Sequence, residues 1–120
     1  CSFYSVKAYN SGYSLDAYIA RLIEEMNEYK KNYGAVVFDT VYTGGGTPSI
    51  LSVSNMRRLL DAVRSMFSIT EGAEVTVEMN PDDLSLEKLE GFRDAGATRY
   101  RSMLMFGCSE TRSDIRSRPE

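Results

Sequence analysis

The chain has 120 residues, 42% of them apolar, with a formal net charge of −3 and a sequence pI of about 5.0. That size and balance fit one soluble domain or part of a larger one, and three prolines with nine glycines exclude collagen-like and low-complexity classes. Lysines and arginines are dispersed until the C-terminal tail, which argues against a nucleic-acid partner; no apolar run or leader suggests a membrane span or export, so the expected compartment is the cytoplasm.

The first residue is Cys1, and the other cysteine, Cys108, lies at the opposite end, which is neither a disulfide framework nor a zinc site. Ser14 to Tyr29 reads as an amphipathic helix. Ser14 caps it, Leu15, Tyr18, Ile19, Leu22, Met26 and Tyr29 repeat at helical offsets, and Lys30 and Lys31 suit its C-terminal end. Ala35 to Tyr42 is β-branched and aromatic without alternation, as expected of a parallel strand covered on both faces. "VYTGGGTPSI" then sets three glycines and a proline at that strand's exit. Adjacent glycines are costly unless unusual backbone angles or missing side chains are needed there.

A second helix is expected from Ser52 or Ser54 to Phe67, with Met56, Leu59, Leu60, Val63, Met66 and Phe67 on one side. "AEVTVEMNPDD" alternates Val75, Val77 and Met79 against Glu74, Thr76 and Glu78, a strand with two different faces that Asn80-Pro81 ends. A third helix spans Ser85 to Ala95, with Leu84 and Leu89 at staple spacing, an apolar face of Leu86, Leu89 and Phe92, and Gly96 just past its end. Another strand begins near Thr98.

This alternation predicts an α/β fold of right-handed parallel β/α units, and fewer than three complete units make a partial (β/α) barrel or an open sheet. Ligands in such folds sit at the C-terminal ends of strands, which puts Gly44, Gly45, Gly46, Thr47 and Glu78 on one functional rim. The glycines lack the Gly-Lys-Ser/Thr of a phosphate loop, and Ser49 stands where a dinucleotide fingerprint needs its third glycine. A tight turn closed by Pro48 and a solvated Glu78 are the plain alternatives.

"CSFYSV", "YTGGGTPSIL", "TVEMNPDDLS" and "KLEGFRDAGATR", in this order, together resemble the radical S-adenosylmethionine core of the oxygen-independent coproporphyrinogen III oxidase family, which includes the oxidase and a heme-chaperone paralogue. The resemblance covers residues 1–99 and implies a partial radical-enzyme barrel, an oxidoreductase chemistry in porphyrin and heme metabolism, and two cofactors, a 4Fe-4S cluster and S-adenosylmethionine. By resemblance Cys1 matches the third cysteine of the family's Cys-x-x-x-Cys-x-x-Cys metal-binding motif. Gly44, Gly45, Gly46 and Thr47 would offer backbone to the methionine part of S-adenosylmethionine, and Glu78 would be a polar contact in the same pocket. Porphyrin or heme is then the small-molecule partner, while the electron donor and the catalytic residues stay unassigned.

Two features depart from the family. Phe3 stands where the oxidase has a further cysteine, which favours the heme-chaperone branch. Residues 100–120, "YRSMLMFGCSETRSDIRSRPE", replace an apolar strand ending in Gln-Ser, as a divergent end or a shift of reading frame would produce. A single thiolate does not retain a cluster, so the 120 residues alone are expected to be an inactive piece, and an incomplete barrel is expected to leave apolar surface uncovered.

Overall fold

The computed structural model describes residues 14–102. Helix α1 (Leu15–Tyr33) leads into strand β1 (Val37–Thr43), followed by helix α2 (Val53–Met66), strand β2 (Ser68–Met79), helix α3 (Leu86–Asp94) and strand β3 (Arg99–Ser102). The strands form one parallel sheet in the order β1-β2-β3. Short 3-10 turns at Pro48–Ile50 and Pro81–Asp83 follow the first two strands, each with proline in its first position, where a missing N–H costs nothing.

Serines set the three helix starts. Ser14 accepts from the Asp16 amide at 3.1 Å, Ser52 from the Asn55 amide at 3.2 Å and Ser85 from the Lys88 amide at 3.1 Å, each satisfying an N–H that the first turn leaves orphaned. Helix α1 ends four residues beyond the expected Tyr29 because its helical hydrogen bonding continues to the Gly34 amide, which donates to the Lys30 carbonyl.

The core lies where β2 meets the helices: Ile19 from α1, Met56, Leu59 and Leu60 from α2, Val75, Val77 and Met79 from β2, Phe92 from α3 and Ala95 at its C-terminal cap are buried. Two expected faces are corrected by this packing. Leu86 is 72% exposed, because it lies about 120° round the helix from Phe92 at about 100° per residue; Gly91, Phe92 and Ala95 turn inward instead. Tyr18 and Tyr29 are exposed on the flank of α1, and Ile23 joins Ile19 and Met26 against the core.

Strand β1 is not covered on both faces as its composition suggests. Val37 is 62% exposed and Phe38 and Tyr42 are exposed too, because among the described residues β1 contacts mainly β2 and no helix packs closely over it. Its register also breaks between Phe38 and Thr40, whose partners jump from Ile69 to Glu74 across Gly72 at φ +78°. From Thr40 onward the pairing is regular. Strand β3 runs from Arg99 through Ser102 along Thr76 to Met79.

Gly91 lies where α3 packs against Val53 of α2. A Cβ there would meet both Val53 methyls at 2.6 Å. Alanine is intrinsically better in a helix than glycine by about 1 kcal/mol, yet overpacking costs about 1–3 kcal/mol. Gly91→Ala is therefore expected to lower the melting temperature in the native background and to raise it in a Val53→Ala background. Thermal unfolding of the four chains measures this reversal of sign.

Candidate functional site

The regular half of the β1–β2 pairing carries both strands to the same rim, where the glycine loop leaves β1 and Glu78 leaves β2. Tyr42 lies opposite Thr76, two residues before Glu78, so Tyr42, Thr76 and Glu78 share one face of the sheet. The Tyr42 hydroxyl donates to Glu78 Oε1, and the Gly45 amide donates to Glu78 Oε2 at 3.3 Å. Arg101 of β3 pairs with Glu78 in the register.

This geometry explains the glycines. A Cβ on residue 44 would stand 2.5 Å from the Tyr42 ring and 3.2 Å from the Glu78 carboxyl carbon, so only glycine lets both side chains lie over the loop. Gly45 and Gly46 take φ of +80° and +62°, the left-handed region that side chains avoid. The space where a Cβ of residue 45 would stand is open, with no atom within 4 Å. Thr47 precedes the 3-10 turn, and its carbonyl accepts from the Ile50 amide at 3.0 Å.

Beneath the loop, Ser49 is fully buried and tied on three sides. Its Oγ donates to Asp83 Oδ2 at 2.7 Å and accepts from the Asn80 amide at 3.0 Å, while its carbonyl accepts from Lys88 Nζ at 2.6 Å. The segment after β1 is thereby fastened to the segment after β2 and to the first turn of α3. Further back on the same face of β2, Glu74 Oε1 pairs with Arg99 at 2.9 Å and accepts from Thr76 Oγ1 at 3.0 Å, which accounts for the buried Thr76 hydroxyl.

The Tyr42 phenol ionises above its ordinary range. Its hydrogen bond to the Glu78 carboxylate is the main cause, with partial desolvation second; Arg101 works in the opposite direction. Burial likewise raises Tyr100, whose hydroxyl donates to the Leu89 carbonyl at 2.7 Å and ties β3 to α3.

Of the residues singled out from sequence, Gly44, Gly45 and Glu78 come into direct contact, and Gly46 and Thr47 continue the same loop. Cys1 and Cys108 lie outside the described residues, as does most of the 100–120 tail. Tyr42 and Ser49 were not anticipated as parts of the rim. That Tyr42 shares the face of Glu78 follows only from the β1–β2 register, and nothing in the local pattern marks Ser49 beyond its place after Pro48.

No family model matches the chain. It is 38% identical over 99 residues to the heme chaperone HemW of Lactococcus lactis subsp. lactis, covering 82% of this chain and 24% of that protein. With HemW of Bacillus subtilis it is 35% identical over 102 residues, covering 84% and 26%. The solved structure of the coproporphyrinogen III oxidase HemN from Escherichia coli, described as a radical SAM enzyme, superposes with a TM-score of 0.69 at 26% identity over 72% of this chain and 20% of that one.

The chain matches a segment of the HemN and HemW family of radical SAM proteins. An oxygen-independent coproporphyrinogen III oxidase from Paracoccus denitrificans is a further relative, 31% identical over 84 residues and 69% of this chain. The chain spans about a quarter of the length of the HemW proteins it matches. Its parallel α/β architecture is part of the radical SAM fold of HemN. No helix among the described residues is long and apolar enough to cross a membrane.

Proposed function

We propose that the glycine loop and Glu78 form the seat for the amino-acid end of S-adenosylmethionine in a radical SAM protein of heme metabolism. The observation that carries this reading is the closure of Glu78 over Gly44 and Gly45, a carboxylate held against exposed backbone on a parallel-sheet rim. The residues fit such a ligand. A carboxylate suits an ammonium group, the open side of Gly45 admits close approach, and the loop supplies backbone groups for the ligand's polar atoms. Gly46 and Thr47 extend the same surface.

The iron side of the site is different. Among the described residues no group of three His, Cys, Asp or Glu could hold a metal. Cys1 remains the proposed cluster ligand, and S-adenosylmethionine bound beside a reduced 4Fe-4S cluster is the source of radical chemistry in this reading. The chain's own part is to bind and orient the cofactor's amino-acid end. Residues 1–99 are proposed as the radical SAM segment, with the tail from 100 on as a divergent end or the product of a shifted reading frame.

Between decarboxylating oxidase and heme chaperone, we favour the chaperone. Phe3 stands where the oxidase has a further cysteine, and the HemW relatives carry the chaperone name. The sequence contains no histidine, so any heme contact within it uses other groups. Porphyrin or heme is the proposed partner, and the cytoplasm the proposed location.

Calorimetric titration of the chain with S-adenosylmethionine and with 5′-methylthioadenosine, which lacks the amino-acid end, tests the seat. Tighter binding of S-adenosylmethionine is expected; equal affinity for the two would remove the glycine loop and Glu78 from ligand recognition.

A further inference from the structure

We propose that Tyr42 is a positioning residue of this seat: its phenol holds the Glu78 carboxylate over Gly44 and Gly45 in the orientation that receives a ligand's ammonium group. The inference rests on the seat proposed above and adds a residue to which the resemblance assigns no role. Tyr42 is 53% exposed among the described residues, yet its hydroxyl is committed to Glu78 Oε1. Its ring fills the space that a side chain at 44 would need. The glycine and the tyrosine are therefore two halves of one arrangement.

The chemistry follows from counting lone pairs. An ionised carboxylate offers about four acceptor positions, and Tyr42 and Gly45 engage one on each oxygen. The remaining positions serve a ligand cation whose approach is fixed because the carboxylate no longer rotates freely. A glutamate at a strand end otherwise samples several rotamers, and fixing it before binding lowers the ordering cost of association. The charged groups acting on the phenol are Glu78 from β2 and Arg101 from β3. The phenol's raised ionisation means that the contact is complete below the ordinary tyrosine range and is lost as pH rises through the higher folded value.

Tyr42→Phe keeps the ring and removes only the hydroxyl, at a half-exposed position where the fold does not depend on it. S-adenosylmethionine is titrated calorimetrically into the wild-type chain, Tyr42→Phe and Glu78→Gln, and the phenol carbon of labelled tyrosines is followed by NMR against pH, with Tyr42→Phe assigning the resonance. The expected results are about three- to tenfold weaker binding in Tyr42→Phe, as for one lost hydrogen bond, and a Tyr42 phenol that ionises at lower pH in Glu78→Gln. An unchanged Tyr42 titration in Glu78→Gln overturns the inference whatever the ligand does. Unchanged affinity in Tyr42→Phe alongside lost affinity in Glu78→Gln overturns it while leaving the seat intact. No binding by the wild-type chain overturns both.

Discussion

Glu78→Gln is expected to weaken S-adenosylmethionine binding by about 10- to 100-fold while leaving the melting temperature within about 2 °C of the wild type. Glutamine keeps the shape and one acceptor oxygen, so Tyr42 or Gly45 retains a partner, but it loses the charge that makes a hydrogen bond to an ammonium group worth about 1.5–3 kcal/mol. Glu78 is only partly buried, so its own removal from water contributes little to folding. Calorimetry and thermal unfolding on the same samples separate the two effects. Undiminished affinity contradicts a binding role for Glu78, and a large fall in melting temperature would make it a structural residue instead.

Ser49→Ala should show the opposite pattern, a loss of stability first and of binding as its consequence. Removing Oγ from a fully buried position deprives the Asn80 amide of its acceptor and Asp83 of its donor. A buried N–H left without a partner costs about 1–3 kcal/mol, and in a domain of this size about 2 kcal/mol lowers the melting temperature by about 10 °C. Lys88 can still reach the residue 49 carbonyl, so the loop is loosened rather than released. Ser65→Ala is the control, since Ser65 is exposed and its hydroxyl donates only to the Ala62 carbonyl one turn back. Equal melting temperatures for Ser49→Ala and Ser65→Ala would contradict the fastening role.

These two residues also show how much of the molecule could be read in advance. The helix starts were legible because serine caps are local: Ser14, Ser52 and Ser85 act on amides within three residues. The parallel order was legible because helices alternate with short strands, and the rim was legible because proline and glycine mark the strand exits at Pro48 and Pro81. Composition misjudged β1. A strand of Val, Phe and Tyr reads as doubly covered, whereas its coverage depends on what packs over its two faces, and among the described residues β1 contacts mainly β2. Leu86 failed for a related reason, since a three-residue apolar spacing drifts round the helix and leaves its first member outside the buried arc.

The site was legible in part for the same physical reason. Glycine's backbone freedom is visible in the letters, so Gly45 and Gly46 could be matched to left-handed angles. The partner that requires glycine at 44 is a side chain from two residues earlier and a carboxylate from the next strand, a contact made only when β1 and β2 pair in register. Ser49 meets Asn80, Asp83 and Lys88, each more than thirty residues further along the chain, and no local pattern encodes such a junction. Long-range polar contacts of this kind are the part that only the folded chain displays.

The central claim is that the glycine loop receives the amino-acid end of S-adenosylmethionine, and backbone amide NMR of the chain titrated with that compound tests it most directly. The expected result is a saturable shift concentrated on the amides of Gly44, Gly45, Gly46, Thr47 and Glu78, with Gly72 and Gly91 unmoved. Shifts scattered over the surface, or none at the loop while the spectrum remains that of a folded chain, would contradict it.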